Sequence, residues 1–544
     1  MIVFFATTQA AGDNAVHAFL QGHAFVRQHQ DKIQGVLSCF DRVIFRGYLP
    51  ICHVRGLHGW LHQQGVKYWD FKHFAPKLAA RLLQQAKDFA EAQGRPYQYL
   101  PRRQRMEESA RRIAARDGVR EGLVCVFSCL ETCRTFRLKY GQDKPRLEAD
   151  LRRCTVLYYF FVDPECGLLH VKLHTWLPFT CQVYVNGHSW LERQLARHGL
   201  GYTAADNAFV RLDNFEAAQR LADRFVKQKW RRRLDRWARL VNPLLQDVLR
   251  GAEGKAFGYY WVVDQAEYST DVIFQPRQLA GLYPALVEEA SLRFSSLDVL
   301  RFLGRRPHPS LAQEVRSEKK SYAEDDDGRR VEGTRVRHQL GTNRLKMYDK
   351  HGRVLRIETV INDPTQFRAR RLSQDRHGVS RLAWRPLRKG VAWLWRYAQV
   401  SLAANRRYLE ALALVPDPRV VRGELDRVCT AVAWRGGRRR GLQPLSPQDQ
   451  ALFLAILRGE HHLQGLRNRD LARQLYRQPP QDLDERRRRG ARVTRRIQML
   501  RAHGLLAKIP RSRRYRVTAL GLRLMSAAIY VRHKYLPNEF REAA

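Results

Sequence analysis

Apolar and polar positions along the chain follow two periods. Strand character, with apolar positions alternating or with aromatic and β-branched residues grouped, marks FDRVIFRGYL (40–49), TVLYYFFVD (155–163), LLHVKLHTW (168–176) and TCQVYVNG (180–187). The apolar run GLVCVFSCLE (122–131) predicts a buried strand. A helical period marks FAPKLAARLLQQAKDFAEAQG, EESARRIAARDG, WLERQLARHG, NFEAAQRLADRFVKQKWRRRLDRWARLVNPLL and KGVAWLWRYAQVSLAANRRYLEALALV.

The second half of the chain contains a predicted antiparallel strand pair. Residues 333–362 read as two strands joined by a turn at His351 and Gly352. The polar segment 312–332, which contains EDDDG, is predicted to be an exposed loop, and WRGGRRRG (434–441) a linker.

Length and element order indicate a multidomain α+β protein. At roughly 100–200 residues per domain, 544 residues suggest several domains. We predict an N-terminal α/β domain (1–140), a central α+β domain with a basic helix (141–310), a β-hairpin and helical domain with a linker (311–445) and a C-terminal domain (446–535). The expected sheets are mixed or antiparallel, with flanking helices.

The C-terminal segment combines three helices with a basic hairpin. Ser446-Pro447 begins the first helix, a second surrounds Leu471, and a third runs from about Glu485 to His503. GLLAKIPRSRRYRVTALG (504–521) resembles the wing of MarR-like bacterial DNA-binding domains. The resemblance implies a winged helix-turn-helix whose arginine-rich helix enters a groove of DNA. A winged helix used for protein contact is the alternative.

The charge narrows the class of partner. With 97 Lys+Arg against 53 Asp+Glu, a net charge of +44 and a pI near 10.6, a polyanion is the expected partner, and RNA or DNA is the first candidate. The predicted nucleic-acid-binding residues are the arginines of three basic segments: Arg231, Arg232, Arg233 and Arg236; Arg438, Arg439 and Arg440; and Arg486, Arg487, Arg488, Arg489, Arg492, Arg495, Arg496, Arg511, Arg513 and Arg514.

Aromatic side chains are interleaved with these basic ones in two segments. KQKWRRRLDRWARL (227–240) and AWLWRYAQ (392–399) offer indoles and guanidinium groups that can stack on unpaired bases. The alternative is a helix with a tryptophan core face and a solvated arginine face.

No apolar run is long enough to cross a membrane, and the N-terminus lacks a basic segment before its short apolar stretch, so we expect a cytoplasmic protein without a membrane partner. The odd number of cysteines, nine, favours reduced thiols.

Carboxylates in DQAEYSTD (264–271) form one candidate metal site. On a strand, Glu267 and Asp271 share a face while Asp264 points to the other, and the preceding YYWVV favours a strand. The alternative is that these carboxylates form structural ion pairs with arginines and bind no metal. The predicted metal ligands are Glu267, Asp271 and Glu358, with Mg²⁺ as the ion.

The hairpin LKMYDKHGRVLRIETVIND (345–363) supplies Glu358 and a nearby lysine. Its Tyr-Asp-Lys strand followed by an Arg-x-Glu strand is similar to a segment of rolling-circle replication initiators. The His-hydrophobe-His metal triplet of that class is absent, because His170 and His174 are spaced differently, so no nicking tyrosine is carried over. Lys350 is predicted to assist phosphodiester cleavage beside Glu267, Asp271 and Glu358. Cross-strand ion pairs are the alternative.

Two further groups leave their role open. Cys125, Cys129 and Cys133 recur at zinc-like spacing, but they lie in a predicted buried strand, where cysteine acts as a small apolar residue, and this second interpretation is preferred over zinc. Asp41-Arg42 is either part of a site or an internal ion pair.

Taken over most of its length, the chain resembles a widespread bacterial family whose members are often labelled hypothetical or MarR-like. FDRVIFRGYLP, GLVCVFSCLETC, NGHSWLERQL and KMYDKHGRVLRIET carry this resemblance, which implies little about mechanism. Phosphate-loop, dinucleotide-binding and serine-hydrolase motifs are absent from the sequence. We therefore expect a mobile-element-type, metal-dependent nuclease or processing factor. A non-catalytic subunit bound to a structured RNA, and a winged-helix transcriptional regulator, are the alternatives.

Overall fold

The fold is given by a computed structural model of the chain. It describes residues 23–101, 106–139, 146–251, 254–320, 323–324, 330–332, 334–374, 378, 380–413, 422–457, 465–476, 478–510 and 512–532. The predicted contact residue Arg511 lies outside these ranges.

A large mixed sheet is the centre of the α+β fold. In the part of the chain described above, it has 13 strands, of which 11 follow the order β10-β13-β14-β15-β9-β1-β6-β5-β4-β3-β2, while β12 pairs with β14 and β11 with β12. Its strands are β1 (Ile33–Tyr48), β2 (Tyr97–Tyr99), β3 (Gly122–Lys139), β4 (Arg146–Asp163), β5 (Gly167–His174), β6 (Cys181–Asn186), β9 (Tyr260–Phe274), β10 (Val315–Lys320), β11 (Ala323–Glu324), β12 (Arg330–Glu332), β13 (Arg335–Leu340), β14 (Asn343–Lys350) and β15 (Val354–Ile361). Only the short β2 is parallel to its neighbour among the pairs whose register is resolved here.

Four two-stranded ribbons stand apart from the large sheet in the described ranges. They are β7 (Tyr202–Ala205) with β8 (Ala208–Leu212), β16 (Arg368–Gln374) with β17 (Ser380–Pro386), β18 (Val432–Trp434) with β19 (Gly437–Arg439), and β20 (Leu506–Lys508) with β21 (Tyr515–Val517).

The described ranges contain 17 α-helices, some of which flank the large sheet. They are α1 (Ala24–Gln28), α2 (Val54–Gln63), α3 (Phe71–Ala92), α4 (Met106–Arg116), α5 (Gly187–Arg197), α6 (Phe215–Asp223), α7 (Trp230–Val241), α8 (Leu244–Asp247), α9 (Gln278–Glu288), α10 (Ser296–Phe302), α11 (Pro309–Gln313), α12 (Leu394–Leu412), α13 (Arg422–Cys429), α14 (Pro447–Ile456), α15 (Asn468–Leu475), α16 (Leu483–Ala502) and α17 (Ala519–Tyr530).

The chain forms two compact units, each assembled from separate stretches of sequence. One comprises Met1–Leu37, Thr270–Thr359 and Leu402–Ala544, and the other Ser38–Ser269 and Val360–Ser401. The four limits of the units fall within β1, β9, β15 and α12. The four consecutive domains expected from the sequence stay a prediction.

The strongest sequence patterns are confirmed as elements. All but the last residue of FDRVIFRGYL lies in β1, and DQAEYSTD lies in β9, a strand as its apolar neighbours indicated. The turn at His351 and Gly352 joins β14 to β15, and both residues have positive φ. Burial of apolar side chains on these strands supplies the main driving force for the core.

Three irregular segments differ from expectation. The expected loop 312–332 is wrong in part, because Val315–Lys320 forms β10 and pairs with β13 in antiparallel register. The single helix expected over 214–245 is interrupted by a 3₁₀ turn at Arg224–Lys227, where the indole of Trp230 donates a hydrogen bond to the Phe225 carbonyl. The expected linker 434–441 overlaps the ribbon β18–β19, in which Trp434 lies beneath the guanidinium of Arg439.

The cysteines of β3 lie among apolar side chains. Cys125 packs with Phe127 and Phe160, whereas Cys129 and Cys133 pack with Cys154. Burial raises the pKa of Cys125 to about 12, which favours the neutral thiol over the thiolate that zinc requires. All nine cysteines are free thiols.

A buried carboxyl group makes stability depend on pH. Glu289, in a π-helical turn after α9, has its pKa raised from 4.5 to about 7 by burial, although Arg293 opposes the shift. Between these two values the folded chain holds a proton that the unfolded chain releases, so stability falls as pH rises.

Glu289→Gln is therefore expected to stabilise the protein by about 3 kcal/mol at about pH 8, and by far less at about pH 4.5. Urea unfolding at both values measures the difference, with Glu216→Gln as a control in an exposed ion pair with Arg220. Equal effects of Glu289→Gln at the two pH values would contradict the prediction.

Candidate metal centre

Three buried carboxylates converge in the structure. Asp41, Glu267 and Glu358 each direct one oxygen into a group whose members all lie within 4.8 Å of one another. Their residues are 4%, 5% and 0% exposed, respectively. Among the described residues, these three side chains form a group of potential ligands that are close enough to share a metal ion.

Adjacent strands bring these residues together. Asp41 lies on β1, Glu267 on β9 and Glu358 on β15, and the sheet order places β9 between the other two. Each of these strands is buried on both sides of its carboxylate along the chain. For this reason, apolar residues flank the acidic residue in the sequence of all three strands. The structure thus unites Glu267 and Glu358, both predicted as ligands, with Asp41, whose role the sequence left open.

A histidine and an asparagine fix the Asp41 carboxylate. His188 Nδ1 lies 3.1 Å from Asp41 Oδ1, and the Asn207 side-chain amide donates to the same oxygen at 3.0 Å. The other ring nitrogen of His188, Nε2, lies 3.5 Å from Cys39 Sγ. Partners of this kind orient metal ligands in known sites.

Close packing of a helix start holds His188 in place. Gly187 begins α5, and a Cβ atom there would lie 2.0 Å from the Phe40 carbonyl oxygen on β1. Asn186 caps the helix by accepting a hydrogen bond from the Ser189 backbone N–H. The NGHS segment therefore presses His188 against the strand that carries Asp41.

Positive and amide groups surround the two glutamates. The Gln265 amide donates to Glu267 Oε1 at 2.9 Å, and Arg42 Nε lies 3.9 Å from Glu267 Oε2. Lys346 Nζ donates to Glu358 Oε2 at 2.6 Å, a cross-strand ion pair of the kind that the sequence offered as an alternative. The Arg42 side chain is 43% exposed, so the group lies just beneath the surface at this point.

Asp271, the third predicted ligand, is held differently. Arg356 donates to it through Nε at 2.8 Å and Nη2 at 2.7 Å, and both side chains are almost fully buried. The sequence predicted Asp271 as the third ligand beside Glu267 and Glu358. In the structure, the third member of the acidic group is Asp41.

Lys350, the predicted catalytic lysine, is buried near the end of β14. Its neighbour Asp349 accepts a hydrogen bond from the Gly352 backbone N–H and so closes the hairpin turn. Lys346, four residues earlier on the same strand, contacts Glu358. Lys346 and Lys350 are four residues apart on one strand, so their side chains share a face, and the catalytic role assigned to Lys350 stays a prediction.

The spacing of the acidic group suits a divalent cation. Mg²⁺–oxygen bonds are about 2.1 Å and Ca²⁺–oxygen bonds about 2.4 Å, so two ligands of one ion are separated by at most about 4–5 Å. Three oxygens within 4.8 Å of one another can reach a common ion with small side-chain movements.

His170, one of the two histidines compared above with a metal-binding triplet, packs among aromatic side chains. Its ring stacks on Tyr184 with centroids 4.7 Å apart and an interplanar angle of 7°. Burial lowers its pKa to about 3, so the ring is neutral at ordinary pH. His174 follows on the same strand and is half-buried.

The predicted nucleic-acid contacts lie on two helices, α7 and α16, and in or beside the ribbons β18–β19 and β20–β21. Among the predicted arginines that the structure describes, those with exposed side chains are Arg231, Arg232, Arg236, Arg438, Arg440, Arg486, Arg487, Arg488, Arg492, Arg495 and Arg513. Half-buried ones are Arg233, Arg439, Arg489, Arg496 and Arg514. Several of these arginines form ion pairs within the protein: Arg233 with Glu165, Arg489 with Glu485, Arg236 with Asp163, Arg440 with Asp449, Arg487 with Asp484 and Arg231 with Asp235.

Sequence reasoning missed His188 and Asn207. Both contact Asp41 across long stretches of chain, and no local period marks such a contact. The signal available was NGHS, a glycine directly after a strand and before a helix, which indicates close backbone approach.

No protein-family model, curated protein or solved structure matches this chain. Within the described ranges, every helix is too short or too polar to cross a bilayer.

Proposed function

We propose that the protein is a metal-dependent enzyme that cuts or processes nucleic acid, of the type that mobile elements carry. Asp41, Glu267 and Glu358 hold the divalent cation, and Mg²⁺ is its natural identity. The convergence of these three buried carboxylates is the observation that supports the proposal.

Electrostatics favour a cation over a purely structural cluster. Three carboxylates within 4.8 Å repel one another strongly in a buried setting, and Arg42 and Lys346 supply two positive charges nearby. Arg42 lies 3.9 Å from Glu267, at the outer limit of an ion pair. A divalent ion bound among the three oxygens lowers this repulsion.

The net charge indicates the substrate. A chain with a charge of +44 attracts polyanions over a long range, and phosphate groups that approach the acidic group meet Arg42 at the surface. We assign Arg42 to a scissile phosphate and Lys346 to the orientation of Glu358. A bound divalent cation polarises a phosphodiester and stabilises the charge that develops on cleavage.

The C-terminal elements supply a second contact with nucleic acid. Helices α14, α15 and α16 precede the ribbon β20–β21, which is the order of a winged helix-turn-helix. Arg486, Arg488, Arg492 and Arg495 on α16 are exposed. We propose that this segment is a winged helix and that α16 lies against the sugar-phosphate backbone or in a groove.

The test uses the full-length protein with end-labelled single-stranded DNA, duplex DNA and RNA. In EDTA we expect binding without cleavage, and added Mg²⁺ or Mn²⁺ should produce cleavage that saturates with metal concentration. The same metal should raise the temperature of thermal unfolding, because an ion that binds only the folded state stabilises it.

The remaining outcomes distinguish the alternatives. Binding without cleavage in any metal would overturn the enzyme and favour a subunit bound to a structured RNA. Preference for a palindromic duplex with half-sites one helical turn apart, again without cleavage, would favour a transcriptional regulator.

A further inference from the structure

The ribbon β16–β17 exposes an apolar face to solvent. In the described ranges it pairs with no strand of the large sheet. Leu372 and Leu382 are directly opposite each other, and Arg370 is opposite Trp384, so these four side chains share one face. Leu372, Leu382 and Trp384 are 68%, 53% and 61% exposed, respectively.

The other face of the ribbon is attached to the rest of its unit. Ala369 on that face is only 4% exposed. Arg396 in α12 donates a hydrogen bond to the Arg370 carbonyl, and the Leu387 backbone N–H donates to Phe367 at the base of the ribbon. These contacts fix the ribbon so that its apolar face points outward.

Positive charge surrounds the apolar face. The segment 368–386 contains six arginines and one aspartate. Arg368 and Arg370 lie on the apolar face itself, because both share the strand period of Leu372. A partner that covers this face must therefore tolerate cations, and a polyanion matches that requirement.

A second exposed indole lies close to the ribbon. Trp395, at the start of α12, is 39% exposed, and the Arg396 guanidinium lies 3.9 Å from its ring centroid. Because Arg396 also bonds the ribbon backbone, Trp395 and Trp384 belong to neighbouring parts of one unit.

We propose that this surface, formed by Arg368, Arg370, Leu372, Leu382 and Trp384, binds single-stranded nucleic acid. An unpaired base stacks on the Trp384 indole, the leucines contact adjacent base or sugar surfaces, and Arg368 and Arg370 contact phosphates. A duplex keeps its base faces covered, so stacking on an exposed indole selects unpaired bases. The proposal extends the proposed function by naming the form of nucleic acid that is bound, and it does not require cleavage.

The experiment measures binding of the full-length protein to fluorescein-labelled oligo(dT) by anisotropy in EDTA. Trp384→Ala is expected to weaken binding by about 10-fold or more, and Trp384→Phe to retain most of the affinity because the ring still stacks. Arg370→Gln should weaken binding and reduce its dependence on salt concentration. A duplex of the same length should respond little to Trp384→Ala.

Trp69→Ala is the matched control. Trp69 is 59% exposed and also lies beside a cation, Lys67, but it is outside the ribbon. Oligo(dT) affinity of Trp384→Ala within about twofold of wild type would overturn the inference while leaving the proposed function intact. An equal loss of oligo(dT) affinity in Trp69→Ala would also overturn the inference. The same holds if Trp384→Ala weakens binding to anionic lipid vesicles and leaves the affinity for oligo(dT) unchanged. Absence of any nucleic-acid binding by the wild type would overturn both proposals.

Discussion

Glu267→Gln is expected to reduce Mg²⁺-dependent cleavage by about 100- to 1000-fold while affinity for nucleic acid in EDTA changes little. Glutamine keeps the shape of the side chain and can still accept the hydrogen bond from Gln265. It removes one of the three charges that attract the ion, and a neutral amide is a weaker ligand for Mg²⁺. The thermal stabilisation by Mg²⁺ should decline together with the activity.

Asp264→Asn provides the matched control on the same strand. Asp264 lies three residues before Glu267 on β9, on the opposite face, and pairs with Arg46 at 2.7 Å. This variant removes the same charge from the same strand and should retain both metal binding and cleavage. Cleavage by Glu267→Gln at the wild-type rate, with the wild-type dependence on Mg²⁺ concentration, would refute the assigned metal centre.

Arg356→Met is expected to lower the free energy of unfolding by about 3–5 kcal/mol. The guanidinium of Arg356 and the carboxylate of Asp271 are 0% and 1% exposed and form two hydrogen bonds. Methionine fills a similar volume but leaves the Asp271 charge without its bidentate partner in a low-dielectric interior. Chemical denaturation measures the loss.

Two further variants separate charge from packing. Asp271→Leu combined with Arg356→Met removes both charges, so the double variant should be more stable than Arg356→Met alone. Arg81→Met breaks the exposed pair of Arg81 and Asp247, and we expect a cost below about 1 kcal/mol. A cost as small as this for Arg356→Met would show that the buried pair contributes little.

Local periodicity was sufficient to place carboxylates on strands but not to assign them partners. It predicted β9 as a strand and set Glu267 and Asp271 on one face, apart from Asp264. Which of the two carboxylates forms the buried bidentate ion pair depends on Arg356, a residue of another strand. Sequence spacing within β9 contains no information on that contact.

The same limitation explains Asp41. Its local sequence, FDRV, allowed either an internal ion pair or a site, and the choice depends on His188, Asn207 and the neighbouring strand. Strand β10 was missed for a related reason. VRSEKK has almost no apolar residue, and only its pairing with β13 makes it a strand.

The strands that end the sheet order also affect association between copies of the chain. β10 presents Arg316, Lys319 and Lys320 as exposed side chains, and β2 at the other end is only three residues long. A terminal strand offers unpaired backbone groups to which another molecule can add a strand, and both charge repulsion and shortness oppose that addition. In the part of the chain that the structure describes, both features are therefore expected to disfavour edge-to-edge pairing between copies of this sheet.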